Sequence, residues 1–294
     1  MKFGGASVAT PRHFSVIADR ILEQKKVYHR VVVVVSAMGN TTDQLISLAK
    51  EVNPSPPRRE YDMLVTVGER ISISLLAMAL ARKGHEAISF TGSQSGIITS
   101  SHHSEAKILD VRPHRVIASL DLGKVVIVAG FQGVSINKEI TTLGRGGSDT
   151  TAVALGIALQ AEKVEFYKDV PGIFSTDPKR DAQAAFYPLL SYCDAFRVLA
   201  SGAEILHPRC LFLAKKYHVP LVVRGYAPCH PAQAEGTRIH DEDFSPFSIE
   251  KGSLPYEGES TSCAASQYIH IQTQELDLGN SKAPAIERSQ EAQY

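Results

Sequence analysis

Five valines in unbroken succession, Val31 to Val35, limit what this chain can fold into more than any other stretch. A run without polar alternation suits a strand covered on both faces, as in a parallel sheet with helices above and below. Val125 to Ala129 is a second such run, and each is followed by a turn of small residues or glycine. Shorter candidate strands are Ala87 to Phe90, Val164 to Tyr167 and Pro220 to Val223. Helical patterns lie between them: Pro11 to Lys25, with Thr10 as its cap and Phe14, Ile17 and Ile21 on one face, then Asp43 to Val52, Tyr61 to Lys83, Thr151 to Ala161 and Pro208 to Tyr217. This alternation predicts an α/β fold, a three-layer αβα sandwich around a mainly parallel sheet, with ligands bound beyond the carboxyl ends of the strands.

A chain of 294 residues can bury a full core, and its sequence character divides it near residue 240. Beyond that point it turns rich in Gly, Ser, Pro and Glu, broken only by Tyr268-Ile-His-Ile-Gln, and the last stretch reads as a tail too polar to order itself. The expected division is a catalytic body over 1–240 and a partly disordered extension or truncated remnant over 241–294. Lys plus Arg equals Asp plus Glu at 31 each, so no global field draws the protein to nucleic acid or an anionic membrane. Cys193, Cys210, Cys229 and Cys263 match no zinc or redox spacing and read as reduced thiols. No apolar run approaching a membrane span and no export leader stand out, so a cytoplasmic protein with small-molecule ligands is expected.

Two glycine turns carry the chemistry. Gly144-Arg-Gly-Gly-Ser-Asp-Thr-Thr151 runs into the apolar stretch Ala152 to Leu159, so a glycine loop opens a helix. Unpaired N–H groups at a helix start carry the positive end of its dipole, and glycines let an oxyanion approach them closely. Arg145 adds a fork for a carboxylate or phosphate, and Asp149 puts one acid beside it. A plainer reading is a tight turn whose Ser148, Asp149 or Thr150 caps the helix. Lys2-Phe-Gly-Gly-Ala-Ser-Val8 is the second glycine turn, in which Lys2 could serve a phosphate or be a solvated terminal lysine.

Those two motifs, with Val67-Gly-Glu-Arg70 and Asp169-Val-Pro-Gly-Ile-Phe-Ser-Thr-Asp-Pro178, occur in an order that resembles the aspartokinase family of the amino acid kinase superfamily. Ser36-Ala-Met-Gly-Asn-Thr-Thr42 and Gly202-Ala-Glu-Ile-Leu-His-Pro-Arg209 also fit, and the resemblance covers roughly residues 1 to 240. It implies phosphorylation of the side-chain carboxylate of L-aspartate by ATP with Mg²⁺, the first step towards lysine, threonine and methionine, and a possible homodimer. Carried onto this sequence, it makes Lys2 and Asp149 the catalytic pair, with Asp149 orienting the lysine. An aspartate side chain is already ionised at neutral pH, so Asp149 is not needed as a base. The resemblance assigns Thr42, Glu69, Arg145 and Ser148 to the amino acid: Arg145 would grip a carboxylate and Glu69 would pair with the ammonium. It assigns Gly4, Gly5, Ser7, Lys168, Asp169, Phe174 and Lys179 to the nucleotide, with Phe174 near the base, Asp169 near the ribose and Lys179 near the phosphates. Mg²⁺ would bridge the ATP phosphates and need few protein ligands.

Other readings stand beside these. Glu69-Arg70 could be the exposed face of a helix. His102-His103 reads as a solvated pair, and His207-Pro208 as a turn before a helix. Ala6, Glu204 and Lys168 replace the threonine, lysine and threonine common in the family, and Met1 leaves the first strand short. The residues from 241 onward are too few for the family's usual pair of ACT regulatory domains, so weak or absent feedback control is expected. A kinase acting on glutamate or acetylglutamate and a silent nucleotide-binding subunit are the alternative functions. No Gly-x-Gly-x-x-Gly opens the first strand and helix, which disfavours a dinucleotide oxidoreductase.

Overall fold

The computed structural model describes residues 1–181, 183–203, 205–226 and 233–240. Glu204, Cys229, Cys263 and the segment around Tyr268 lie outside the described residues.

Along the chain run β1 (Lys2–Phe3), a 3-10 turn (Gly5–Val8), α1 (Pro11–Val27), β2 (Val32–Val35), α2 (Thr41–Val52), α3 (Arg58–Val65), α4 (Val67–Arg82) and β3 (Ala87–Phe90). Next come β4 (Ile97–Thr99), β5 (Ile108–Val111), α5 (His114–Asp121), β6 (Val125–Ala129), β7 (Gln132–Ser135), β8 (Ile140–Thr142), α6 (Gly147–Ala158) and β9 (Val164–Lys168). The last part holds β10 (Ile173–Phe174), β11 (Phe186–Tyr187), β12 (Leu189–Leu190), α7 (Tyr192–Ala200), α8 (Pro208–Lys216), β13 (Leu221–Gly225) and β14 (Thr237–Ile239).

Eight strands form the central sheet in the order β12-β14-β13-β9-β1-β2-β6-β3. All neighbours pair parallel except β13 with β14. The valine run is covered on both faces, as its composition predicts. Val33 and Val35 pack with Phe14, Ile17 and Ile21 of α1 and Ile73, Leu76 and Leu80 of α4. Val34 points the other way, into a core shared with Val126, Val128, Val153, Phe166 and Leu211. Burying each such side chain contributes roughly 1.5–3 kcal/mol, so a polar residue anywhere in this run would forfeit a layer contact. The helices on the two faces make the expected αβα sandwich.

Three features differ from the sequence reading. The helix expected over Tyr61 to Lys83 is two, because Gln132 donates its side-chain amide to the Thr66 carbonyl at 3.1 Å and Thr66 turns the chain between α3 and α4. Taken together, Arg58–Arg82 is long and apolar enough to cross a membrane by length and composition, against the expectation that no such run exists. Its Ile73, Leu76 and Leu80 are nevertheless committed to the core under the sheet. The third is a mixed sheet, β5-β4-β7-β8, which the short strands gave no periodicity to reveal. It hangs between α3 and α6 and carries the approach to the 144–151 loop.

Candidate active site

The glycine turns meet at the carboxyl edge of the central sheet. Strand β1 is inserted between β2 and β9, with Lys2 opposite Val34 and Phe166, so Gly4 and Gly5 emerge beside the ends of both neighbours. The turn after β2 touches them, the Gly39 N–H donating to the Gly5 carbonyl at 3.1 Å. Ser7 donates its hydroxyl proton to the Tyr167 carbonyl at 3.1 Å, which ties the 3-10 turn to β9.

Lys2 is buried, and its Nζ lies 2.5 Å from Oδ1 of Asp149 in the first turn of α6. Lys168, the last residue of β9, brings a second ammonium to 3.9 Å from Oδ2. Burial pushes the Asp149 carboxyl up, but the charges of Lys2 and Lys168, the Lys2 hydrogen bond and the His207 N–H outweigh it, and the pKa is held below the ordinary range. Burial is also the main cause that lowers the Lys168 ammonium, against the pull of Asp149. Two cations therefore share one carboxylate, leaving an excess of positive charge at a helix N-terminus. An incoming polyanion could complete that balance.

The capping alternative for Ser148, Asp149 or Thr150 is overturned. The cap position is Gly146, in the left-handed region at φ 71°, and no side chain caps the helix. A Cβ on Gly146 would stand 2.0 Å from Cγ of His207. His207 itself is a cap, accepting from the Arg209 N–H ahead of Pro208, as the turn reading of that pair expects. Ser148 and Asp149 thus lie inside the first helical turn, where backbone N–H groups have no partner within the helix. Arg145 is exposed between two left-handed glycines and makes no ion pair among the described residues.

Glu69 is not on an exposed face. It is 3% exposed in the first turn of α4, and its Oε1 accepts the Ala37 N–H at 3.1 Å. Its Oε2 is buried with no partner among the described residues. Burial raises its carboxyl to about 7, against the opposing pull of its own and the Ala37 N–H. An unpaired acceptor held this way suits a cation that arrives with a ligand. Thr42 is half-buried in the first turn of α2, just past the turn that touches Gly5.

The segment assigned to the nucleotide forms a separate group of contacts. Asp169 and Lys179 pair at 2.5 Å on the surface, so each already occupies the other. Phe174 is mostly buried in β10 and packs edge-on against Phe186, with ring centres 5.3 Å apart.

Sequence reading missed the support behind this constellation. Asp62 belongs to none of the sequence motifs, yet it is fully buried and binds His103, Ser104 and Thr142. His103 is accordingly an internal ligand of Asp62 rather than a solvated residue. Only the long spacing between α3 and the 102–104 loop joins them, so no local signal could have shown it. Among the described residues no three His, Cys, Asp or Glu side chains cluster as a metal site, and Cys193 and Cys210 are free thiols.

Comparison with known proteins gives a consistent family. A profile described as "Amino acid kinase family" matches residues 1–225. The chain is 47% identical over 260 residues to an aspartokinase of Bacillus sp. (strain MGA3), a match covering 88% of this chain and 62% of that protein. The chain therefore spans about three fifths of that relative's length. Among solved structures, aspartate kinase from Synechocystis superposes with a TM-score of 0.72 at 41% identity, over 85% of this chain and 40% of that one. Aspartokinase III of E. coli, in complex with aspartate and ADP, gives 0.69 at 26% identity, over 83% of this chain and 64% of that one.

Proposed function

The chain belongs to the amino acid kinase family, and on that premise we propose that it transfers the γ-phosphoryl group of ATP to the side-chain carboxylate of L-aspartate, giving 4-phospho-L-aspartate and ADP. The observation that carries this reading is the Lys2–Asp149–Lys168 group at the glycine turns, together with the buried, unpartnered carboxylate oxygen of Glu69. Aspartokinase III of E. coli carries aspartate and ADP together, which is the ligand pair that this arrangement suits.

In the proposed reaction a carboxylate oxygen of aspartate attacks the γ-phosphorus, a new P–O bond forms, and the bond to the β,γ-bridging oxygen breaks with ADP as the leaving group. Attack needs no base, because the nucleophile is already ionised. The work left to the protein is positioning and charge stabilisation. Lys2 neutralises charge on the transferring group, and Asp149 fixes the direction in which its ammonium points. Lys168 supplies a second cation from the end of β9. Arg145 and Ser148 bind the α-carboxylate end of the amino acid, Glu69 its ammonium, and Thr42 adds a hydroxyl. Gly4, Gly5 and Ser7 line the phosphate side with Lys179 near the phosphates, while Asp169 lies near the ribose and Phe174 near the base. The residues present offer cations and N–H donors rather than a carboxylate cluster, so Mg²⁺ would come held by the ATP phosphates and add further charge neutralisation there.

The same reading makes residues 1–240 the catalytic body of a cytoplasmic biosynthetic enzyme that feeds lysine, threonine and methionine formation, with a homodimer as its assembly. The test is hydroxylamine trapping of aspartyl hydroxamate with ATP and Mg²⁺, run on the wild type beside Lys2→Ala. Hydroxamate from the wild type and a severe loss in the variant support the mechanism. Equal rates in both would overturn it, and product from glutamate or acetylglutamate instead would reassign the substrate.

A further inference from the structure

The most heavily hydrogen-bonded buried carboxylate described in this protein lies outside the reacting groups. Asp62 on α3 is 0% exposed, and five donors converge on it from two other parts of the chain. Thr142, the last residue of β8, donates its N–H at 3.1 Å and its hydroxyl at 2.8 Å. Ser104 donates its N–H at 3.0 Å and its hydroxyl at 3.3 Å. His103 brings Nδ1 to 2.9 Å, and since a carboxylate only accepts, that nitrogen carries the proton. A core carboxylate saturated in this way fixes geometry more than it adds net stability, because desolvation offsets much of its attraction.

What it fixes is the start of the Arg145 loop. Two residues after Thr142, Gly144 enters the left-handed region at φ 71°, and a Cβ there would stand 3.1 Å from the Ser104 carbonyl oxygen. Ser104 is itself left-handed at φ 70°, a conformation disfavoured for a non-glycine residue, and its bonds to Asp62 hold it in place. The Ala106 N–H closes the pairing by donating to the Thr142 carbonyl at 2.8 Å. On its other side, Asp62 precedes Glu69 by about two turns of the same α3–α4 run, and its own carbonyl accepts the Thr66 N–H at the break between them.

We infer that Asp62 is a positioning residue that sets the separation between Glu69 and the Arg145 loop, and so fixes the size of amino acid that can be held by its ammonium and its carboxylate at once. This inference rests on the substrate assignment above. Asp62 touches neither substrate, and its effect is carried by Thr142 and Ser104 to the loop and by α3 to Glu69.

The test uses the full chain with Asp62→Asn, which puts an amide donor among donors, and with Thr142→Val, which keeps the shape and the backbone N–H but removes the 2.8 Å hydroxyl bond. Thr142→Ser serves as the conservative rescue. The expected result is a rise in KM for aspartate of about tenfold in Thr142→Val and more in Asp62→Asn, with KM for ATP within about twofold of wild type and Thr142→Ser near wild type. Amide hydrogen exchange over residues 143–150 should quicken in both damaged variants, a readout that needs no turnover. If KM for ATP rises in parallel with KM for aspartate, or if exchange and both KM values stay at wild-type levels, the inference is overturned. Loss of exchange protection in a protein whose wild type phosphorylates no aspartate would instead refute the substrate assignment and leave the positioning role standing. Should Asp62→Asn fail to fold, the Thr142 pair decides alone.

Discussion

Lys2 and Asp149 form an ion pair at 2.5 Å in which both side chains are less than a tenth exposed, although one comes from the first strand and the other from the sixth helix. The sheet fixes where the lysine starts from: β1 is held between β2 and β9 by two parallel ladders, which set the position of the Lys2 backbone beside α6. Removing its ammonium as Lys2→Ala should lower kcat by about a thousandfold, the scale for one preorganised charge on a transferring group. The same change should cost about 2–3 kcal/mol in denaturant unfolding, since only Lys168 would remain near the Asp149 carboxylate. Full turnover in this variant by coupled ADP release would remove Lys2 from the mechanism.

Arg145 offers the opposite balance of stability and function. It is exposed and makes no ion pair among the described residues, so Arg145→Ala should leave the melting temperature within about 1 °C of wild type. Loss of a bidentate carboxylate grip should still raise KM for aspartate by about ten- to a hundredfold while KM for ATP stays put. Initial-rate measurements with each substrate varied in turn would separate these.

Glu69 ties stability to pH with a definite sign. Its carboxyl is raised from 4.5 to about 7 by burial, so between those values the folded protein holds a proton that the unfolded chain has released. Stability contributed by the protonated form is present below about pH 4.5 and lost as pH rises towards about 7. Glu69→Gln should therefore unfold at higher temperature than the wild type at pH 8, by an amount corresponding to about 3 kcal/mol or less, with the gap closing near pH 5. The gain comes at the expense of binding. KM for aspartate in the wild type should climb as pH falls below about 7, where the ammonium loses its partner, and the variant should show a high and flat KM. Melting curves and KM measured from pH 5 to 8 on both proteins check the two halves separately.

At Gly146 the backbone itself is the constraint. Alanine there would keep a φ of 71° that disfavours it and would drive a Cβ to 2.0 Å from the His207 ring. Gly146→Ala should destabilise by about 2 kcal/mol or more and reduce activity through displacement of Asp149, whose carboxylate the His207 N–H helps to hold. A variant with wild-type melting and kinetics would show that the α6 start can shift without consequence.

The sheet was legible because doubly buried strands declare themselves by composition. Val31 to Val35 and Val125 to Ala129 needed no neighbour to be recognised as strands, whereas their parallel pairing as β2 with β6 came from the structure. The face of α1 was equally plain, since Phe14, Ile17 and Ile21 recur at helical spacing and all are buried. Elements with weaker periodicity were not legible. The β5-β4-β7-β8 sheet consists of strands of three or four residues, and the break at Thr66 depends on a Gln132 side chain reaching from β7.

For the site, sequence determined which residues could act: a lysine before two glycines, an arginine, a serine and an aspartate in a glycine loop, and a glutamate after glycine. All of these are local patterns, because the conformational needs of glycine turns and helix starts are written in adjacent residues. Tertiary structure alone decided the environments. Glu69 became a buried acceptor instead of a surface charge, Lys168 joined Lys2 on a single carboxylate, and Asp62 became the anchor of a loop far along the chain. Burial and long-range partners set charge state and direction, and neither is a property of residues that neighbour one another in sequence.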